Sequence, residues 1–168
     1  MAKKFIILDT ETTGLEVRQG HKIIEIGAVV LNDRKKSSDH FHSYINPGRL
    51  IDEEASKVHG ITNQDLENEP MFAAIADDFI EFIQGSTLII HNAPFDVGFL
   101  NSELKAVSAK YPKLEDICEI EDSLVIARSK FPGQRNSLDA LANRFEVSGY
   151  DRSFHGALLD ANILADVY

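Results

Sequence analysis

The first apolar run, Phe5–Leu8, ends in Asp9-Thr10-Glu11, and this placement of two carboxylates constrains the fold more than any other feature. A short apolar run closed by polar residues reads as a buried strand. Side chains at i and i+2 share one face of an extended chain, so Asp9 and Glu11 point the same way. Two carboxylates side by side repel, and each raises the other's pKa unless a cation lies between them. Acids at a strand end also stand where α/β sheets bind their ligands. The plainer alternative is a solvated strand end that turns at Thr12-Thr13-Gly14.

The rest of the chain reads as alternating strands and helices. Lys22–Leu31 (KIIEIGAVVL) is rich in β-branched residues and His40–Ile45 (HFHSYI) alternates, so the two are expected as antiparallel strands joined by a turn at NDRKKSSD. Residues 13–21 read as a loop. From Pro70, apolar residues recur at helical spacing (Phe72, Ile75, Ala76, Phe79, Phe82-Ile83) until Gly85 stops them. Thr87–Ile90 reads as a further strand. Helices are expected from about Pro94, over Ser123–Ser129, over Ser137–Phe145 and from Gly156, with Pro132-Gly133 as a break. The class is α/β, a mixed sheet flanked by helices.

At 168 residues and 43% apolar content, with no repeats or linkers, the chain reads as one globular domain, 1–168, and a disordered or fibrous class is excluded. Its apolar runs fall far short of the ~20 residues of a membrane span. Only four apolar residues separate Lys4 from Asp9, too few for a secretory segment, and the single Cys118 allows no intrachain disulfide. A cytoplasmic setting is expected. The net charge of −10 is unlike the basic footprint of proteins that track along duplex DNA. It serves solubility, or it reflects carboxylates gathered around divalent cations.

Two further constellations bear on that choice. In HNAPFD, Asp96 falls in the first turn of a helix entered directly from a strand, where a capping acid is the ordinary explanation. In HGALLD, His155 and Asp160 enter the last helix. Inside one ideal helix they would stand about 140° apart, so they converge only if His155 precedes the first turn, which Gly156 permits. Together these give three aspartates, one glutamate and one histidine at element ends. Carboxylates without thiolates suit Mg²⁺ or Mn²⁺, and a pair of such ions ~3.5–4 Å apart is the usual clamp for in-line attack on a phosphodiester. Four carboxylates account for −4 of the −10, and two divalent ions would restore +4.

FIILDTETTGL, HNAPFDVGFL and HGALLDANILADVY resemble the three motifs of the DEDDh 3′–5′ exonucleases, a family with an RNase H-like fold. With HKIIEIGAVVL, VHGIT and DSLVIARSKFPGQRNSLDALANRF, the resemblance spans nearly the whole chain and is strongest to the proofreading subunits of bacterial replicative polymerases. It implies Mg²⁺ or Mn²⁺ at Asp9, Glu11, Asp96 and Asp160, with Asp9 shared by two ions and His155 as general base. It also implies that the terminal nucleotide is contacted by Asp9, Glu11, Thr12, Leu15, Glu54, His59, Asn92, Phe95 and Asp160. For Glu54 and His59 an ordinary connecting loop with Thr62 as a helix cap is the alternative, and for Phe95 it is the core. Arg135 could meet a phosphate or be a solvated loop residue. His21 and His91 are given no role. The implied substrate is a single-stranded 3′ end of DNA, the implied product a 5′-mononucleotide. The implied partners are the catalytic subunit of the polymerase, through a tail beyond Tyr168, and a small accessory subunit. The 2′-OH is not read by any motif, so a 3′–5′ exoribonuclease of short RNA remains the alternative. A phosphomonoesterase with Asp9 as nucleophile would normally carry Asp at i+2, where this chain has Glu11.

Overall fold

The computed structural model describes residues 4–32, 35–147 and 156–168. Among them, five strands form one sheet: β1 (Phe5–Thr12), β2 (Ile23–Asn32), β3 (Lys35–Tyr44), β4 (Thr87–Ile90) and β5 (Glu119–Asp122). The order is β3-β2-β1-β4-β5. β1 and β2, and β2 and β3, run antiparallel, while β4 lies parallel to β1 and β5 parallel to β4. The sheet is mixed, as expected.

Alternation along β1 divides the core. Ile6 and Leu8 face the helices α3 (Phe72–Ile83) and α4 (Ala93–Val107), in a cluster with Phe79, Ile83, Leu88, Ile90 and Leu100. Ile7 faces the other way and packs with Val29, Leu31, Ile89, Ala161 and Leu164, the last two from α8 (Ala157–Val167). In α3 the buried residues Phe72, Ala76, Phe79 and Ile83 follow the helical period. Phe79 is fully buried, and truncating such a side chain costs about 3–5 kcal/mol. By the same alternation, Asp9 and Glu11 lie on the α8 face of β1 and Thr10 on the α4 face.

Several boundaries differ from expectation. β3 begins at Lys35, so most of NDRKKSSD is strand rather than turn, and residues 33–34 lie outside the described residues. β3 is an edge strand with mostly exposed side chains, so it needs no apolar alternation, and lysines at an edge discourage pairing with another sheet. The segment after Asp52 is no plain loop: it forms α1 (Glu53–His59), followed by α2 (Asn63–Leu66), which Thr62 caps with a full capping box. The short α5 (Leu114–Ile117) and β5 carried no periodic signal. The helices α6 (Ser123–Lys130) and α7 (Leu138–Arg144) fall where expected, Ser137 capping the latter.

Candidate active site

Asp9, Glu11 and Asp160 converge. Each offers a carboxylate oxygen, and the three oxygens lie within 4.8 Å of one another. Asp9 and Glu11 come from alternate positions of β1, as the i, i+2 argument required, and Asp160 comes down from the first turns of α8. Asp96 approaches from the first turn of α4 and is 3% exposed. The Thr10 hydroxyl donates to its Oδ1, so Thr10 and Asp96 tie the opposite face of β1 to the start of α4.

The electrostatics follow from this crowding. Burial, then the neighbouring charges of Asp96, Glu11 and Asp160, holds the Asp9 carboxyl well above the usual carboxylate range. Burial pushes Asp96 up to about 7, against the pull of the Thr10 hydroxyl and nearby backbone amides. Like charges this close are what a divalent cation relieves, and an all-carboxylate donor set fits Mg²⁺ or Mn²⁺. Asp9, Glu11 and Asp160 could hold one ion. Asp96, the strongest charged influence on Asp9, stands where a second could be shared.

Beside the carboxylates opens a cavity of about 580 Å³, lined among others by Glu11, Thr12, Leu15, Glu54, Val58, His59 and Phe95. Glu11 is common to the carboxylate cluster and the cavity. Leu15, 76% exposed, and Val58 present apolar surface to it, and Phe95, also in its lining, meets Phe99 in a tilted ring contact with centroids 4.9 Å apart. Glu54 is exposed and ion-paired with Lys57 at 3.6 Å. His59 is buried, its pKa lowered by that burial; its Nε2 meets the Thr12 carbonyl at 3.3 Å and its Nδ1 accepts from the Ile61 N–H. Asn92 stands apart from this lining: it adopts φ 67° ahead of α4 and donates its N–H to Asp122 Oδ1. His155 lies outside the described residues.

Some residues that hold the site together were given no role in the sequence. His21 accepts the Glu16 N–H on Nδ1 and meets Asp52 Oδ2 with Nε2 at 2.8 Å, while the Asp52 N–H donates to the Thr13 carbonyl at 2.8 Å. These bonds knit loop 13–21 to the start of α1, which carries Glu54 and Val58. A Cβ on Gly14 would come within 2.4 Å of the His21 ring, so this loop closes only over glycine. His91 bonds Ser123 and the Asn136 carbonyl, pinning the segment before α7 to the end of β4. Arg135 is exposed in that segment, and its carbonyl accepts from Arg144.

A mixed sheet of this order, with carboxylates converging at the carboxyl end of its central strand, is the architecture of a metal-dependent phosphodiesterase. The model of the exonuclease family (RNase_T) matches residues 6–168, and the chain belongs to that family. It is 50% identical over 167 residues to "DNA polymerase III subunit epsilon" of Escherichia coli K12, covering 97% of this chain and 69% of that protein. The protein of the same name from Rickettsia typhi is 54% identical over 163 residues, covering 97% and 71%. Among solved structures, "Exonuclease X in complex with 5′ overhanging duplex DNA" superposes with a TM-score of 0.73 at 28% identity, covering 97% of this chain and 90% of that one. The protein is an exonuclease, a phosphodiester hydrolase of RNase H-like fold.

Proposed function

We propose that this exonuclease removes mispaired nucleotides from single-stranded 3′ ends of DNA during replication, using two divalent ions, Mg²⁺ or Mn²⁺, held by Asp9, Glu11, Asp96 and Asp160. One observation carries this reading: three carboxylate oxygens within 4.8 Å, at the edge of a cavity whose volume and partly apolar walls suit a nucleotide. The ions would supply positive charge where the phosphoryl oxygens gain negative charge. The chain's residues do the remainder. Leu15, Val58 and Phe95 receive the terminal base and sugar, and Thr12, Glu54 and His59 present polar groups beside them. His155 takes the proton from the attacking water, a task that suits an imidazole with an ordinary pKa near 6.5. The product is a 5′-mononucleotide, and Asn92 would contact it from ahead of α4, outside the cavity lining.

A terminus must fray to bring its last phosphodiester to carboxylates this recessed. Fraying is easiest at a mismatch, because an unpaired base costs less to unstack. The site therefore selects errors without reading the wrong base. Two of the relatives are named as subunits of DNA polymerase III. That supports the alpha subunit of the polymerase as a partner, with a small accessory subunit as a further partner. Among the described residues no helix is long and apolar enough to cross a membrane, and we place the protein in the cytoplasm.

The test is a time course on a 5′-labelled single-stranded DNA oligomer with Mg²⁺, with Mn²⁺ and with EDTA. We expect a metal-dependent ladder that shortens from the 3′ end and is absent for Asp9→Ala. His155→Ala should lose about 10²–10⁴-fold in turnover with metal binding retained. An RNA oligomer degraded faster than the matched DNA would move the substrate to RNA. Retention of a few per cent of activity by Asp9→Ala would sink the two-ion mechanism.

A further inference from the structure

Glu25 is a buried glutamate of the sheet that the proposed reaction does not use. It lies in the interior of β2 with 3% of its surface exposed, and both of its oxygens are engaged. Oε1 accepts the Ala157 N–H at 2.8 Å, in the first turn of α8. Oε2 meets His42 Nε2, from β3, at 2.7 Å. Two residues further along β2, a Cβ on Gly27 would stand 2.3 Å from the Leu158 nitrogen and 2.4 Å from its Cα. The backbone of α8 therefore rests directly on the strand at Gly27. In the β1–β2 ladder Glu25 pairs with Glu11 and Gly27 pairs with Asp9. The seat of α8 thus lies across one strand spacing from the two carboxylates that Asp160 must meet.

Ala157 and Asp160 are three residues apart, so they share a face of the helix. Fixing the Ala157 amide fixes the rotation and height of the first turn, and with it Asp160. An apolar side chain of similar size would fill the same space without the cost of burying a charge. A carboxylate instead gives a directional bond to one amide at the positive end of a helix. We infer that Glu25, braced by His42 and with Gly27 beside it, is a positioning residue that docks the start of α8 so that Asp160 meets Asp9 and Glu11.

This inference rests on the metal-binding reading of Asp9, Glu11 and Asp160, and the experiment separates the two. Mn²⁺ affinity of the full chain is measured by calorimetry, beside turnover and Tm, for Glu25→Ala, Glu25→Asp, Glu25→Gln, Leu164→Ala and Asp160→Asn. Residues that orient a metal ligand typically cost about 10–100-fold in affinity or turnover when changed. Glu25→Ala should weaken Mn²⁺ and lower kcat in that range with KM little altered. Glu25→Asp, too short to reach the amide, should move the same way and keeps the test open if the alanine variant fails to fold. Glu25→Gln retains an acceptor oxygen and should recover most of the loss. Leu164→Ala loosens the same helix from its core side and should lower Tm while leaving Mn²⁺ affinity within about 2-fold, since Leu164 is not part of the seat. Wild-type Mn²⁺ affinity in Glu25→Ala or Glu25→Asp would overturn the inference, as would equal weakening by Leu164→Ala at matched Tm. If Asp160→Asn itself bound Mn²⁺ like the wild type, the metal reading would fall and this inference with it.

Discussion

The Thr10 side chain, on the α4 face of β1, donates to Asp96, and that bond opposes the effect of burial on how readily the group ionises. Burial raises the Asp96 pKa and the Thr10 hydroxyl opposes it. Thr10→Val keeps the volume but removes the donor, and a hydrogen bond to a charged group is worth about 1.5–3 kcal/mol. Ligation requires the carboxylate form, so protons compete with the ion. The variant should bind Mn²⁺ about tenfold more weakly than wild type at pH 6.5, with the gap narrowing by pH 8.5, measured calorimetrically at both values. Equal affinities at pH 6.5 would show that Thr10 does not tune the site. The placement of Asp9 and Glu11 on one face was readable from their i, i+2 spacing at the end of an apolar run. Asp96 alone reads as a capping acid, and it joins the set only with the other element-end acids and the family resemblance. Glu25 and His21 were not readable. A glutamate inside IIEIG looks like one polar interruption of a strand, and its meaning depends on a helix over a hundred residues away.

Between elements, the chief joint near the site is Asp122, the last residue of β5. Its carboxylate accepts the N–H groups of Asn92 at 3.0 Å, Ala93 at 3.1 Å and Leu124 at 2.9 Å, so one side chain caps both α4 and α6. Removing a helix cap costs about 0.5–2 kcal/mol, and here two starts fray together. Asp122→Ala should lose about 2–3 kcal/mol in urea unfolding and reduce turnover, because α4 carries Asp96. Asp122→Asn keeps an acceptor and should lose less. A turnover unchanged in the alanine variant would mean that α4 is held in place without its cap. The elements that packing dictates, such as α3 and β4, were readable because their burial has a period. β5 was not, because EIED pairs along only one edge and has almost no apolar pattern. α1 was missed because its seven residues bury only His59 fully, leaving no apolar stripe to read. β3 was shortened because an exposed edge strand is held by its ladder rather than by a core.

Across the molecule, the charge of −10 is not spread evenly, and the chain folds around a site where carboxylates repel. The Asp9 pKa is raised in the folded state by burial and by Asp96, Glu11 and Asp160. A group whose folded pKa exceeds its unfolded value contributes stability at low pH and loses it as pH rises through the folded pKa. For Asp96 that loss runs from the unfolded value of 3.8 up through about 7, and for Asp9 it starts at the same unfolded value and continues to its own raised one. Burial lowers the His59 and His91 pKa values below 6.5. These two rings act in the opposite sense, and their effect is spent as pH rises past 6.5, so the carboxylates govern the range above it. In EDTA, Tm should therefore fall as the pH rises from 6.5 through about 7. Asp9→Asn removes the central charge and should raise the metal-free Tm at pH 8 by at least about 2–4 °C, the equivalent of 1 kcal/mol in a chain of this size. Saturating Mg²⁺ should restore the wild type by about 2.7 kcal/mol at a hundredfold excess over its dissociation constant, and should do little for the variant. Scanning calorimetry on both proteins, with and without Mg²⁺, checks all of this. A metal-free Asp9→Asn no more stable than wild type at pH 8 would mean that the carboxylates do not repel in the folded chain. The outcome expected is a protein that gives up stability at its active site and regains it from the ions it uses.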